Sequence, residues 1–212
     1  MVNRWSRLSP LTGVVFVVLL VLSAVIPGSP PKTTASGAAV LLFANSHQTR
    51  MRASAIIIGL SLVVGLFFYG QLREYLRRDP KLETLATVCY GGAVLFAAGG
   101  GAVAGTALAL VDQPRRLDPA AAQSLNVLYT DLPLVLLVGL GALMFAAGLA
   151  IVWRRVLPVW LGWAGIVLGV VATLPLGAFS LILGGLWTLA VSVVMTVRAG
   201  QLNSSLDAAP VT

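Results

Sequence analysis

The chain has 212 residues, of which 58% are hydrophobic and only 10% charged, with 22 glycines and a mean hydropathy of +0.94. Soluble domains carry about 25% charged and about 45–50% apolar residues, so the composition excludes a disordered chain, a disulfide-rich secreted module and an ordinary soluble globule. The net charge of +7 comes from 12 arginines and 2 lysines against 7 acidic residues, and these basic residues fall between long apolar runs. That is the charge pattern that orients membrane helices, and no basic run is long enough to form a nucleic-acid patch. The solvent this sequence calls for is lipid.

Cys89 is the single cysteine, which excludes an intrachain disulfide and a cysteine-based metal cluster. The preference for Arg over Lys, with abundant Ala, Gly and Val, matches the usage of a GC-rich bacterial genome.

In chain order, the first apolar run is Leu11–Ile26, preceded by Arg4 and Arg7. A signal peptide has a similar profile, but Ser23-Ala24-Val25-Ile26-Pro27 offers no small-x-small cleavage site, so the run is expected to stay as a span. Pro27-Gly28-Ser29-Pro30-Pro31 then breaks the helix. Ser36 is placed to cap a short exterior helix that runs toward His47 with Val40, Leu41, Phe43 and Ala44 on its apolar side.

The second run, Ala53–Tyr69, extends to Leu72 and continues as an amphipathic stub through Arg78. Glu74 there has helical spacing to Arg77 and Arg78 for an ion pair, and Pro80 stops the stub. The third run, Leu85–Val111, has 27 residues. No polar turn divides it, so it is expected to form one helix that tilts or projects beyond the bilayer. The following exterior loop reaches Asp131 and contains a helix beginning at Pro119, with Asp118 as N-cap.

Three further runs follow: Leu132–Val152, Leu157–Leu176 and Phe179–Val197. A membrane helix needs about 20 apolar residues to cross a core of about 30 Å. The last four runs meet that length, and the first two reach it with flanking residues. The expected fold class is therefore all-α: a bundle of six transmembrane helices with short exterior interfacial helices. The spans are 11–26, 53–72, 85–111, 132–152, 157–176 and 179–197, and residues 201–212 form a disordered polar tail. Alternate connections divide the basic residues nine against five, which puts both termini in the cytoplasm of a bacterial plasma membrane. Arg50 and Arg52 run against that bias locally.

Within the spans the clearest signal is small residues. Ala93, Ala97, Gly101 and Gly105 recur every four positions in the third helix. Ala142, Ala146 and Ala150 do so in the fourth, and Gly165 with Gly169 in the fifth. In lipid such faces let backbones approach for dispersion contacts, and the third helix is the expected centre. A bulky Gly101→Leu is expected to disrupt assembly. Trp153, Trp160 and Trp163 flank Arg154-Arg155 as an interfacial belt.

Polar candidates lie on the exterior side: His47 in the first loop, and Asn126, Tyr129 and Asp131 ahead of the fourth span. Asp131 is positioned as an N-cap or, alternatively, as a ligand contact. A lone histidine makes neither a His-rich zinc site nor a bis-histidine haem site. Ser61, Ser180 and Ser192 have no histidine partner in the spans, and no HExxH or paired intramembrane aspartate occurs. No catalytic residue, metal or cofactor is expected.

Four segments together resemble a family of six-span bacterial membrane proteins, the domain of unknown function 4386 type common in actinobacteria. They are Leu11–Leu20, Phe43-Ala-Asn-Ser-His-Gln-Thr-Arg50, Leu72-Arg-Glu-Tyr-Leu-Arg77 and Leu157-Pro-Val-Trp-Leu-Gly-Trp163. The resemblance implies a six-helix integral membrane protein and supplies no catalytic residue. The expected function is non-enzymatic: an accessory or interaction subunit that packs its helices against lipid, another membrane protein or a second copy of itself. Two alternatives are a small transporter or channel for an apolar or weakly polar solute, with Asn126, Tyr129 and Asp131 at its mouth, and a lipid- or lipophile-binding protein.

Overall fold

The computed structural model describes residues 11–112, 117–131, 133–174 and 178–207, with side chains described as far as Arg198, Ala178 excepted. Arg4, Arg7, Arg115, Arg116 and the last five residues of the expected tail lie outside the described residues.

Among the described residues the chain is all-helical. The helices are α1 (Thr12–Val25), α2 (Gly37–Ser46), α3 (Gln48–Arg77), α4 (Glu83–Asp112), α5 (Pro119–Asp131), α6 (Pro133–Arg154), α7 (Val159–Ala172) and α8 (Ala178–Asp207), with a 3₁₀ turn at Pro80–Leu82 leading into α4. Four stretches are long and apolar enough to cross a membrane: Gln48–Arg77, Pro80–Asp112, Pro119–Arg154 and Phe179–Arg198. The 27-residue run lies within the single helix α4, as its lack of a polar turn requires.

α1 and α7 have 14 residues each, about 21 Å at 1.5 Å per residue. The expected fifth span is thus cut short at Ala172. Thr173 and Leu174 close a tighter turn by donating to the Val170 and Val171 carbonyls at 3.1 Å each. Pro175 in the sequence is the physical reason, because proline disfavours the helical conformation of the residue before it. At the other end of the chain, α8 continues through Asp207, so Gln201–Asp207, expected in a disordered tail, extend the last helix. No proline interrupts the sequence there until Pro210.

Local signals set the helix ends. Ser36 Oγ accepts from the Ala39 amide at 3.4 Å, and Asp118 Oδ1 accepts from the Ala120 amide at 2.8 Å, with Pro119 as the first residue of α5. Asp79 caps the 3₁₀ turn by accepting from the Lys81 amide at 3.1 Å. Asp131, expected to cap the fourth span, instead ends α5 and is exposed.

Helix contacts run in a cycle, α1–α3–α4–α6–α7–α8 and back to α1. Facing residues show antiparallel neighbours: Gly13 of α1 meets Phe68 of α3 and Ser192 of α8, Gly100 of α4 meets Leu62 of α3, Gly92 of α4 meets Leu143 of α6, and Gly148 of α6 meets Ile166 of α7. α6 is the interior helix. In its apolar window 67% of residues are buried, against 39%, 44% and 44% for the other three long stretches, which corrects the expectation that α4 holds the centre. The reason is that α6 uses two glycine faces. Gly139 opposes Gly92 and Phe96 of α4, and Gly141 and Gly148 oppose Gly169 and Gly162 of α7. A Cβ added at Gly139 would lie 2.4 Å from the Phe96 amide nitrogen, and one at Gly148 2.6 Å from the Ile166 nitrogen. Backbones this close gain dispersion contacts that lipid tails cannot supply.

A second, smaller apolar cluster sits at the end of the molecule where α2 and α5 cross the helix ends. Val40, Ala44 and Met51 with Ala107, Leu110, Val111 and Ala122 form its buried part. The α2 and α5 segments are therefore packed on each other as well as on the helix ends.

Candidate functional site

Two kinds of polar contact tie the cycle together. Inside it, α3 presents Ser54 and Ser61, seven residues apart, to α1. Ser54 Oγ donates to the Ser23 carbonyl at 2.7 Å and Ser61 Oγ to the Phe16 carbonyl at 3.1 Å. About two turns further along α3, Tyr69 meets Thr188 of α8 at 3.0 Å. Thr188 commits its own proton to the Gly184 carbonyl at 2.8 Å, so the Tyr69 hydroxyl is the donor. Phe16, Phe68 and Phe96 surround this bond through edge-on ring contacts, and Cys89 is fully buried in the same core. All four hydroxyls reach an acceptor, which is how polar groups persist in an apolar interior. Sequence inspection for charged residues misses this seam; the seven-residue spacing of Ser54 and Ser61 is the signal that carries it.

At the α2/α5 end, Gln48 Nε2 donates to the Val111 carbonyl at 2.6 Å. Arg52 Nη2 lies 3.5 Å from the Val111 and Asp112 carbonyls and 3.3 Å from the Asp112 carboxylate. These groups satisfy the carbonyls left open at the end of α4, and a cation there also suits the helix dipole. Arg52, which counts against the orientation in the sequence, is thus paired where it stands.

The expected exterior contacts separate rather than converge. Asn126 is buried and donates to the Pro31 and Lys32 carbonyls at 3.3 and 3.4 Å, holding the first loop against α5. Tyr129 packs at the edge of the small cluster. Asp131 is exposed. His47 stacks on Phe43 at 4.3 Å, its Nδ1 2.9 Å from Ser46 Oγ and 3.1 Å from the Phe43 carbonyl. No group of three metal-ligating side chains occurs among the described residues.

The small-residue ridge of α4 also divides. Ala93 is buried and Ala97 packs against the core, whereas Gly101 and Gly105 face open space, with nothing within 4 Å of an added Cβ. The glycines that face neighbours are the interleaved Gly92, Gly99 and Gly100. Gly165 and Gly169 face α6, where an added Cβ would lie 3.0 Å from the Met144 carbonyl oxygen and 2.6 Å from the Phe145 nitrogen respectively. Outward on α4 there remains a stripe of Gly91, Ala98, Gly101, Ala102, Gly105 and Ala109, all exposed.

At the opposite end, Arg77 pairs with Glu83 at 3.0 Å, in place of the expected pair with Glu74. Arg154 donates to Asp79 Oδ2. The Arg154 hydrogen bond first, and the Lys81 amide second, hold the Asp79 carboxyl below the ordinary carboxylate range. Because the folded-state value is the lower one, the stabilisation is present at neutral pH and is lost as pH falls through the folded value. Asp79→Asn is expected to lower the thermal unfolding temperature at neutral pH, with the difference from wild type closing on acidification below the carboxylate range. Thermal unfolding at stepped pH reads this directly, and a difference independent of pH would overturn the assignment.

No family model matches this chain, and neither a curated protein nor a solved structure matches it.

Proposed function

We propose that the chain is a six-span protein of a bacterial plasma membrane, with both termini cytoplasmic, acting as a non-enzymatic accessory or interaction subunit through helix packing. Four stretches long and apolar enough to cross supply the frame. The contacts that α1 and α7 make with these stretches in the cycle support reading them as the remaining two spans. Each is shorter than the hydrocarbon thickness, which a bilayer accommodates by local thinning. The likeness of four segments to the 4386-type family points the same way.

Charge supports the orientation. On the end formed by residues 71–83, 153–160 and 198, seven basic residues stand against three carboxylates. On the α2/α5 end the described Lys32, Arg50 and Arg52 stand against Asp112, Asp118 and Asp131, and the sequence adds Arg115 and Arg116 to that side. The first end is the cytoplasmic one by the positive-inside rule.

The observation that carries the interaction reading is the outward face of α4. Each interior glycine costs a helix about 1 kcal/mol relative to alanine, and lipid gains nothing from a bare backbone. Gly91, Gly101 and Gly105 bear that cost with nothing within 4 Å of an added Cβ among the described residues, whereas a second helix laid against them gains close backbone contact. The double variant Gly101→Leu/Gly105→Leu therefore leaves the monomer folded and removes an associated polypeptide. Native mass spectra of the protein gently solubilised from its own membranes test this. Wild type is expected to carry added polypeptide mass and the variant to run as a bare chain near 22.1 kDa. A bare wild-type chain, or a variant that keeps the added mass, overturns the reading.

A further inference from the structure

Three arginines lie around the turn between α6 and α7, and none of them pairs with a carboxylate among the described residues. The Val156 carbonyl is the centre of the turn. Arg198 Nη1 of α8 donates to it at 2.6 Å, and the Tyr75 hydroxyl of α3 donates to it at 2.9 Å. Arg78 lies over the Tyr75 ring at 5.2 Å, and Arg155 is the residue next in sequence to Val156. The nearby carboxylates are engaged elsewhere, Asp79 with Arg154 and Glu83 with Arg77. Glu74 is exposed on α3 and makes no ion pair among the described residues.

Arg155 is the informative residue. It terminates α6 with φ at 52°, and no other non-glycine residue among those described has a positive φ. Its amide donates back to the Ile151 carbonyl at 2.8 Å. Glycine is the usual occupant of such a left-handed helix end, and an arginine there is strained without local return. Its side chain is exposed and makes no hydrogen bond or ion pair among the described residues. The same turn is flanked by exposed indoles, Trp153 at 62%, Trp160 at 61% and Trp163 at 57%. Tryptophan concentrates at the level of lipid headgroups.

We infer that the α6–α7 turn, with Arg78, Arg155 and Arg198, binds the phosphate of an anionic phospholipid headgroup, the flanking tryptophans holding it at headgroup depth. The inference rests on the membrane-spanning reading with this end inward. Three cations facing an anionic leaflet supply the charge complementarity, and guanidinium forks match phosphate oxygens in pairs. Val156 is fixed from two sides, so the turn that carries Arg155 is anchored before a lipid arrives.

The full chain is reconstituted in nanodiscs of equal phosphatidylglycerol and phosphatidylcholine, and retained lipid adducts are counted by native mass spectrometry. Each surface guanidinium is worth about fivefold in affinity for an anionic surface, so phosphatidylglycerol is expected to exceed phosphatidylcholine among adducts by at least that factor. Arg155→Gly is the decisive variant, because glycine suits the left-handed turn. It is expected to unfold at the same temperature as wild type or higher in uncharged detergent, yet to lose about fivefold of the enrichment. Arg78→Gln is expected to lose a similar factor. Equal adducts of the two lipids on inserted wild type, or unchanged enrichment in Arg155→Gly, overturn the inference while leaving the spanning reading intact. Loss of enrichment on adding millimolar inorganic phosphate at constant ionic strength assigns the site to free phosphate and overturns the lipid assignment. A chain that does not enter nanodiscs overturns the spanning reading and this inference with it.

Discussion

Gly139→Leu is expected to unfold the membrane core or to leave it misassembled, whereas Gly101→Leu leaves the isolated chain as stable as wild type. The contrast follows from what each added side chain meets. At Gly139 the first carbon already lies 2.4 Å from the Phe96 nitrogen, 2.8 Å from the Gly92 oxygen and 2.9 Å from the Leu95 carbonyl carbon. All three are backbone atoms of α4, so no rotamer change relieves the overlap and the two helices must separate. Separation is costly because the α4–α6 contact is also lined by Gly92 and Gly99, whose own added carbons would meet Leu143 and Leu136 nitrogens at 2.5 and 2.8 Å. Overpacking a close contact typically costs about 1–3 kcal/mol, occasionally more, and a rigid backbone clash belongs at the upper end, on the order of 3 kcal/mol. Equilibrium unfolding of the detergent-solubilised chain with increasing denaturing detergent measures it. Equal midpoints for the two variants would mean that α4 and α6 do not approach as described.

That contrast also shows what the sequence carries and what it leaves open. The alternation of long apolar runs with Pro/Gly-rich or charged connections places most helices, because each helix must satisfy its backbone internally when water is absent. Ser36, Asp118 and Pro119 mark their helix starts through local hydrogen bonding that needs no tertiary knowledge. Gly101 and Gly105 show the limit. A four-residue recurrence identifies one face of a helix, and α4 has small residues on two faces, so recurrence alone cannot say which one meets α6. Arg77 is a second case. Its helical spacing favours no partner beyond Glu74, yet the chain reverses at Pro80 and brings Glu83 within 3.0 Å. Asn126 reads as a polar residue available at a mouth, but its amide is taken by carbonyls 95 and 94 residues away in sequence. Pairings across such separations are set by how the helices close their cycle.

Trp187→Ala is expected to loosen α8 from α7 and to cost about 3–5 kcal/mol, the range for deleting a buried aromatic side chain. Trp187 is 3% exposed, and its indole Nε1 donates to the Leu161 carbonyl at 2.9 Å. Its ring edge fills the hollow over Gly165, where Cζ2 lies 3.1 Å from an added Cβ. The indole therefore serves two purposes: it occupies space that glycine leaves on α7, and it places a donor on a backbone carbonyl where no water competes. Trp187→Phe separates them. The ring volume is largely kept and the donor lost, so the cost should fall to about 1 kcal/mol, the usual scale of an interhelical hydrogen bond in a membrane. Tyr69→Phe removes the neighbouring bond to Thr188 on the other side of α8 and should cost a similar amount, because Thr188 keeps its bond to Gly184. The Trp187→Ala loss is then chiefly packing, which in lipid is dispersion and cavity energy and owes little to hydration. Unfolding midpoints of the three variants in the same detergent series decide the matter. A Trp187→Phe cost equal to that of Trp187→Ala would make the hydrogen bond, and not the filled hollow over Gly165, the contact that holds α8 in place.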